Sequence, residues 1–150
     1  MKILMVCLGN ICRSPLAEGV MQHLADKNGL NWTVDSAGTG NWHVGEAPDH
    51  RSIRTALNRG VDISKQVCKQ FTVNDFDEFD LIMVMDKFNL RDVLAKARNQ
   101  ADRDKVRLLL GNAEVPDPYY DDSKFETVYD MVEQGCRDII KEFTGIELKK

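Results

Sequence analysis

The feature that most constrains this chain is a short apolar run broken by a tight loop near its start. Ile3-Leu4-Met5-Val6 lacks polar alternation, as expected of a strand buried on both faces of a parallel sheet. Cys7-Leu8-Gly9-Asn10-Ile11-Cys12-Arg13-Ser14 follows, and Pro15-Leu16-Ala17-Glu18 reads as a helix start with Ser14 as N-cap and Pro15 at the first helical position. A strand–loop–helix unit of this kind aims backbone N–H groups and the positive end of a helix dipole at one spot. In that field the thiolate of Cys7 is favoured over the thiol, and Arg13 adds a planar fork of donors that matches two oxygens of a phosphate. The stretch therefore describes a nucleophile aimed at a bound tetrahedral oxyanion.

The rest of the chain supplies the elements of an α/β fold. Apolar residues at Leu16, Val20, Met21 and Leu24 have helical spacing, and Asn28-Gly29 ends that helix. Trp32–Ser36, Leu81–Met85 and Val106–Leu110 read as further strands. Residues 37–45, rich in glycine and aromatics, form a loop, and Asp49 caps a helix carrying Ile53, Ala56 and Leu57 that stops at Gly60. Asn89 to Ala97 is helical, and Phe125, Val128, Val132, Cys136, Ile139, Ile140 and Phe143 mark a long amphipathic helix. Strands alternating with helices predict a single-domain, three-layer α/β fold over residues 1–150: a four-stranded parallel sheet with helices on both faces. Ligands of such sheets sit beyond the carboxyl ends of the strands, where Cys7, the 36–45 loop, Asp86 and Asp117 all fall.

Composition narrows the function. With 150 residues, 43% apolar and 29% charged, the chain can bury a core of its own. The absence of a membrane-length apolar run or a cleavable leader predicts a cytoplasmic protein with no membrane partner. A net charge of −4 disfavours nonspecific nucleic-acid binding. Cys7, Cys12, Cys68 and Cys136 show no zinc-like pairing, and no cofactor or metal is implied, because Arg13 and backbone amides supply the charge a phosphate needs. Phosphomonoester chemistry also needs a proton donor. Asp117, held between Pro116 and Pro118 ahead of Tyr119 and Tyr120, is a carboxyl on a restrained backbone.

CLGNICRSP near the N-terminus resembles the phosphate-binding loop of the low-molecular-weight protein tyrosine phosphatases. DPYY at residues 117–120 is similar to the segment carrying that family's general acid, and the likeness extends to Asp35–Thr39, Met85-Asp86, Asn89–Asp92 and Phe125–Tyr129. The resemblance implies a metal-independent phosphomonoester hydrolase acting on phosphotyrosine proteins and small aryl phosphates through a cysteinyl phosphate. It implies Cys7 as nucleophile, Arg13 as clamp and Asp117 as acid and base, with Leu8, Gly9, Asn10, Ile11, Cys12 and Ser14 cupping phosphate. By the same likeness Ser14 hydrogen-bonds the Cys7 sulfur, Ser36 braces a left-handed Asn10, and Trp42, Tyr119 and Tyr120 wall the cleft. Tyr119 and Tyr120 are also the residues where that family's proposed regulatory phosphorylation would fall. The expected state is mainly monomeric, with weak self-association through the cleft aromatics.

Cys12 either fills the base of the loop or forms a reversible disulfide with an oxidised Cys7. Phosphatases acting on arginine phosphate tend to carry threonine where this chain has Ile11, so Ile11 favours an aryl substrate. The family's histidine behind the loop is replaced by Lys65, with one extra residue before Gln70, and none of His23, His43 and His50 obviously takes its place. An arsenate reductase needs further relay cysteines, which Cys68 and Cys136 do not form. A phosphocarrier domain would lack the arginine and the acid, and a phosphotyrosine-binding module would need no nucleophile.

Overall fold

The computed structural model describes residues 1–148. Four parallel strands, β1 (Lys2–Cys7), β2 (Thr33–Gly38), β3 (Leu81–Val84) and β4 (Val106–Leu108), stand in the order β2-β1-β3-β4. Ile3 lies beside Val34 and Leu81, and Val6 beside Ala37 and Val84, so β1 is hydrogen-bonded on both edges. Its side chains divide between two cores. Ile3, Met5 and Cys7 meet α1 (Arg13–Lys27), α2 (His50–Asn58) and α6 (Phe125–Thr144), whereas Leu4 and Val6 meet Phe71, Phe76, Phe79 and Val93. The second core is closed by α3 (Asp75–Glu78) and α4 (Lys87–Leu94), with α5 (Gln100–Asp104) following before β4. This two-sided burial is why β1 and β3 read as continuous apolar runs. Each of these buried aliphatic side chains contributes about 1.5–3 kcal/mol by leaving water.

The chain runs from β1 outward to β2, then returns to the other side of β1 for β3. The reversal opens a crevice beyond the carboxyl ends of β1 and β3. Cys7 closes β1 and Asp86 lies just past β3, so topology alone brings them to one place. Among the described residues no helix is long and apolar enough to cross a membrane.

Several element boundaries differ from the sequence expectation. Helix α1 begins at Arg13 behind Cys12, not at Pro15 behind Ser14. The Ser14 hydroxyl is spent on Asn10 and Cys7 and so caps nothing, while Pro15 stays within the first turn, where no intrahelical N–H partner is required. Strand β2 runs on to Gly38, because the Gly38 amide hydrogen-bonds the Lys69 carbonyl and its own carbonyl receives the Phe71 amide. Helix α4 starts earlier, at Lys87, where Asp86 and Asn89 form a reciprocal capping box, and ends at Leu94. Strand β4 stops at Leu108 as Gly111 turns the chain with φ 78°. Helices α3 and α5 are too short for periodicity to reveal. Leu57 and Phe143, expected on apolar faces, are exposed, and Phe143 instead lies under the Arg107 guanidinium at 5.5 Å.

Candidate active site

The loop after β1 is held from outside by its carbonyls. Cys7 and Leu8 carbonyls accept from Thr39 and Gly40 amides (both 2.9 Å), Ile11 from the Asp49 amide (2.8 Å), and Cys12 from the Ser52 hydroxyl (3.3 Å). The Asn10 carbonyl accepts from the Cys68 thiol at 2.8 Å. In a trans peptide the following N–H points opposite the carbonyl, so these outward carbonyls turn the amides of Leu8, Gly9, Ile11, Cys12 and Arg13 inward. The result is a cup of donors at the head of α1. Gly38 allows the close approach of β2 to this loop, since a Cβ there would meet the Leu8 carbonyl oxygen at 2.9 Å.

Asn10 organises the floor. Among the described residues it alone, apart from glycines, has a positive φ (59°), and it is buried. The Lys69 amide donates to its Oδ1 (2.9 Å), which fixes the orientation of the side-chain amide. Its Nδ2 then donates to Ser14 Oγ (2.8 Å) and Ser36 Oγ (3.0 Å). Because Ser14 accepts from Asn10, its own proton is free for Cys7 Sγ, 3.1 Å away, with the Ala37 carbonyl more distant at 3.5 Å. Ser36 in turn donates to Glu18 Oε1 at 2.7 Å. Burial pushes the Glu18 carboxyl up to about 7, with Asp35 adding to the effect, while the Ser36 hydrogen bond and Lys69 oppose it. Lys65, expected where the family carries histidine, is exposed and outside this network, whose far end is the Lys69 backbone and Glu18.

Arg13 is 2% exposed. Its Nη1 donates to Asp86 Oδ2 (2.6 Å) and to the Val115 carbonyl (3.0 Å), and Nη2 lies 3.8 Å from Asp117 Oδ2. Burial works against the cation, but Cys7, Asp86 and Asp117 outweigh it and hold the guanidinium protonated more firmly than in water. Asp117 is partly exposed and accepts from the Tyr119 amide at 3.1 Å, an Asx turn set up by its flanking prolines. Tyr119 and Tyr120 pack edge to face at 4.9 Å.

These groups share a cleft of about 290 Å³ lined by Cys7, Leu8, Gly9, Ile11, Cys12, Arg13, Trp42, His43, Asp117, Tyr119 and Tyr120. Most residues singled out from the sequence therefore meet at one cleft. Asn10, Ser14 and Ser36 lie behind it, as braces. His43, which the sequence gives no catalytic place, also lines the cleft, with its Nδ1 3.2 Å from Glu46 Oε2. Glu18, Cys68 and Lys69 were missed because nothing in their local sequence announces a partner so far along the chain. All four cysteines are free, and burial, helped by Asp49, pushes the Cys12 thiol up to about 12. Among the described residues no cluster of three or more His, Cys, Asp or Glu side chains is placed to hold a metal ion.

A buried thiol at the start of a donor cup, a buried arginine and a carboxyl across an aromatic cleft define a class, the cysteine phosphatases with a C-x5-R loop. Residues 2–148 match the family model described as low molecular weight phosphotyrosine protein phosphatase. The human low molecular weight phosphotyrosine protein phosphatase is 43% identical over 145 residues, covering 90% of each chain. The protein tyrosine phosphatase of Entamoeba histolytica, solved with Hepes in its active site, superposes with a TM-score of 0.89 at 36% identity, covering 97% of this chain and 98% of its own. A Drosophila arginine phosphatase superposes equally well, with a TM-score of 0.89 at 31% identity over 96% and 98% of the two chains. The chain belongs to the low molecular weight phosphotyrosine protein phosphatase family, and it is a hydrolase.

Proposed function

We propose that residues 1–150 form one phosphatase domain that hydrolyses phosphotyrosine in proteins, and small aryl phosphates, in two steps. In the first, the Cys7 thiolate attacks phosphorus; the S–P bond forms as the bond to the aryl oxygen breaks, and Asp117 gives its proton to the departing phenolate. Arg13 and the loop amides carry the charge on the three equatorial oxygens. In the second, Asp117 takes a proton from the attacking water, phosphate leaves, and the Ser14 hydroxyl stabilises the departing Cys7 sulfur.

The observation that carries this reading is that Asp117, from the far end of the chain, faces the Cys7–Arg13 loop across a single cleft. Ile11 lines that cleft together with Trp42, Tyr119 and Tyr120. A branched hydrocarbon among aromatic walls suits a flat phenyl ring and offers no hydroxyl to a nitrogen-linked phosphate, which supports tyrosine over arginine phosphate as substrate.

Hydrolysis of para-nitrophenyl phosphate from pH 4 to 8 without added metal tests the assignment. Cys7→Ser is expected to lose activity by about 10⁴-fold or more while still binding inorganic phosphate. Asp117→Asn is expected to lose roughly 10²-fold with phenyl phosphate. Turnover by the serine variant, or equal loss of turnover and phosphate binding, would sink the nucleophile assignment. Faster hydrolysis of phosphoarginine than of phenyl phosphate would sink the substrate assignment.

A further inference from the structure

The segment that carries Asp117 is weakly attached. Val115 is anchored by its amide to the Met85 carbonyl (2.8 Å) and by its carbonyl to Arg13. Beyond it, the bonds of residues 117–124 are mostly to one another. Asp117 accepts from Tyr119, the Asp121 amide bonds the Pro118 carbonyl, and Asp121 in turn accepts from Ser123 and Lys124. Such a turn keeps its own shape without fixing where it sits over the cleft.

Two side chains from elsewhere in the fold reach it: Arg13, whose Nη2 lies 3.8 Å from Asp117 Oδ2, and Arg51. Arg51, in the first turn of α2, sends Nη1 to Asp122 Oδ1 at 2.5 Å, and its guanidinium lies 5.3 Å from the centre of the Tyr119 ring. Arg51 is itself held firmly. Its Nε and Nη2 donate to the two oxygens of Asp49 at 3.0 and 2.8 Å, a bidentate pair, and it lies 4.7 Å from the centre of the buried Phe125 ring. Asp49 closes the circuit, because its amide donates to the Ile11 carbonyl of the phosphate loop at 2.8 Å. Ile11, Asp49, Arg51 and then Asp122 with Tyr119 make a continuous chain of contacts from the phosphate loop to the turn that carries Asp117.

We propose that Arg51 is a positioning residue for proton transfer: it docks the 117–122 turn against the phosphate loop, so that Asp117 stands at the leaving oxygen rather than over solvent. A planar guanidinium suits this task because it can bond two carboxylates along different edges while stacking on aromatic rings, which an ammonium cannot do. The proposal rests on Asp117 being the general acid.

The test separates proton delivery from phosphate binding. A phenolate of pKa about 10 leaves poorly without a proton, whereas a dinitrophenolate does not need one. On kcat/KM, which reports the leaving-group step, Arg51→Ala is expected to slow phenyl phosphate about tenfold and 2,4-dinitrophenyl phosphate less than twofold. The inhibition constant of inorganic phosphate should move by less than about twofold, which also reports that the variant is folded. Arg51→Lys should recover part of the loss. Equal slowing of both esters, a parallel loss of phosphate affinity, or no slowing would overturn the proposal. Asp117→Asn, run alongside, keeps the two readings apart. If its own loss does not grade with the leaving group, the acid assignment falls and the proposal with it; if Asp117→Asn grades and Arg51→Ala does not, only the proposal falls.

Discussion

The loop from Cys7 to Arg13 buries Cys7, Asn10, Cys12 and Arg13 and is tied outward through its carbonyls and through Asn10, whereas the segment from Pro116 to Lys124, facing it across the cleft, bonds chiefly to itself and leaves Tyr120 93% exposed. The difference follows from what each side handles. Charge on a transferring phosphoryl group is best met by dipoles that are already oriented, because any reorganisation at the moment of reaction raises the barrier. A group that must release a proton and then regain one from water has to meet solvent, and the exposure of Asp117 suits the acid and base role proposed for it. The long-range hydrogen bonds are concentrated on the loop proposed to bind charge, and few reach the segment proposed to handle the proton.

If that contrast holds, perturbations on the loop side should cost stability and those on the acid side should not. The largest effect is expected from Asp86→Ala. It removes the partner of a buried Arg13 and the cap of α4, and should lower the unfolding free energy by about 3–5 kcal/mol in chemical denaturation. A loss below about 1 kcal/mol would mean that the loop side is not the stressed one.

Next comes Glu18. Its carboxyl is raised from an ordinary 4.5 to about 7 by burial, so between those values the folded protein holds a proton that the unfolded chain has released. Stability should therefore fall as pH rises from about 4.5 to 7 and stay flat above, by up to about 3 kcal/mol. Glu18→Gln removes the titration, so its stability relative to the natural chain should increase between pH 5 and pH 8. A pH-independent difference between the two would contradict the buried carboxyl. The smallest effect is expected on the acid side: Tyr120→Ala should change stability by less than about 0.5 kcal/mol while raising KM for aryl phosphates roughly two- to tenfold.

Much of this was legible in the sequence because the decisive signals are local. The apolar run before Cys7 follows from two-sided burial of β1, and the Cys7–Arg13 spacing is set by one loop whose ends are a strand and a helix. The prolines around Asp117 restrain a backbone whichever neighbours it meets. The misplaced details are those that a neighbour distant in sequence decides. Ser14 looked like a helix cap because the local pattern permits it, but Asn10 and Cys7 claim its hydroxyl. Lys65 marks in the sequence the position where the family's histidine is missing, but what stands in the network instead, the Lys69 amide and Glu18, shows only in the fold.

The sequence by itself determined the strand–loop–helix unit, the alternation that makes a parallel sheet, and the residues we propose as nucleophile, clamp and acid, since each signal depends on residues within a few positions of one another. Only the tertiary structure decided what holds them: Asp86 on Arg13 from 73 residues away, Ser36 and Lys69 on Asn10, and Arg51 between Asp49 and Asp122. Hydrogen bonds and ion pairs act over a few ångströms, and residues tens of positions apart come that close only once the sheet has set its order and register.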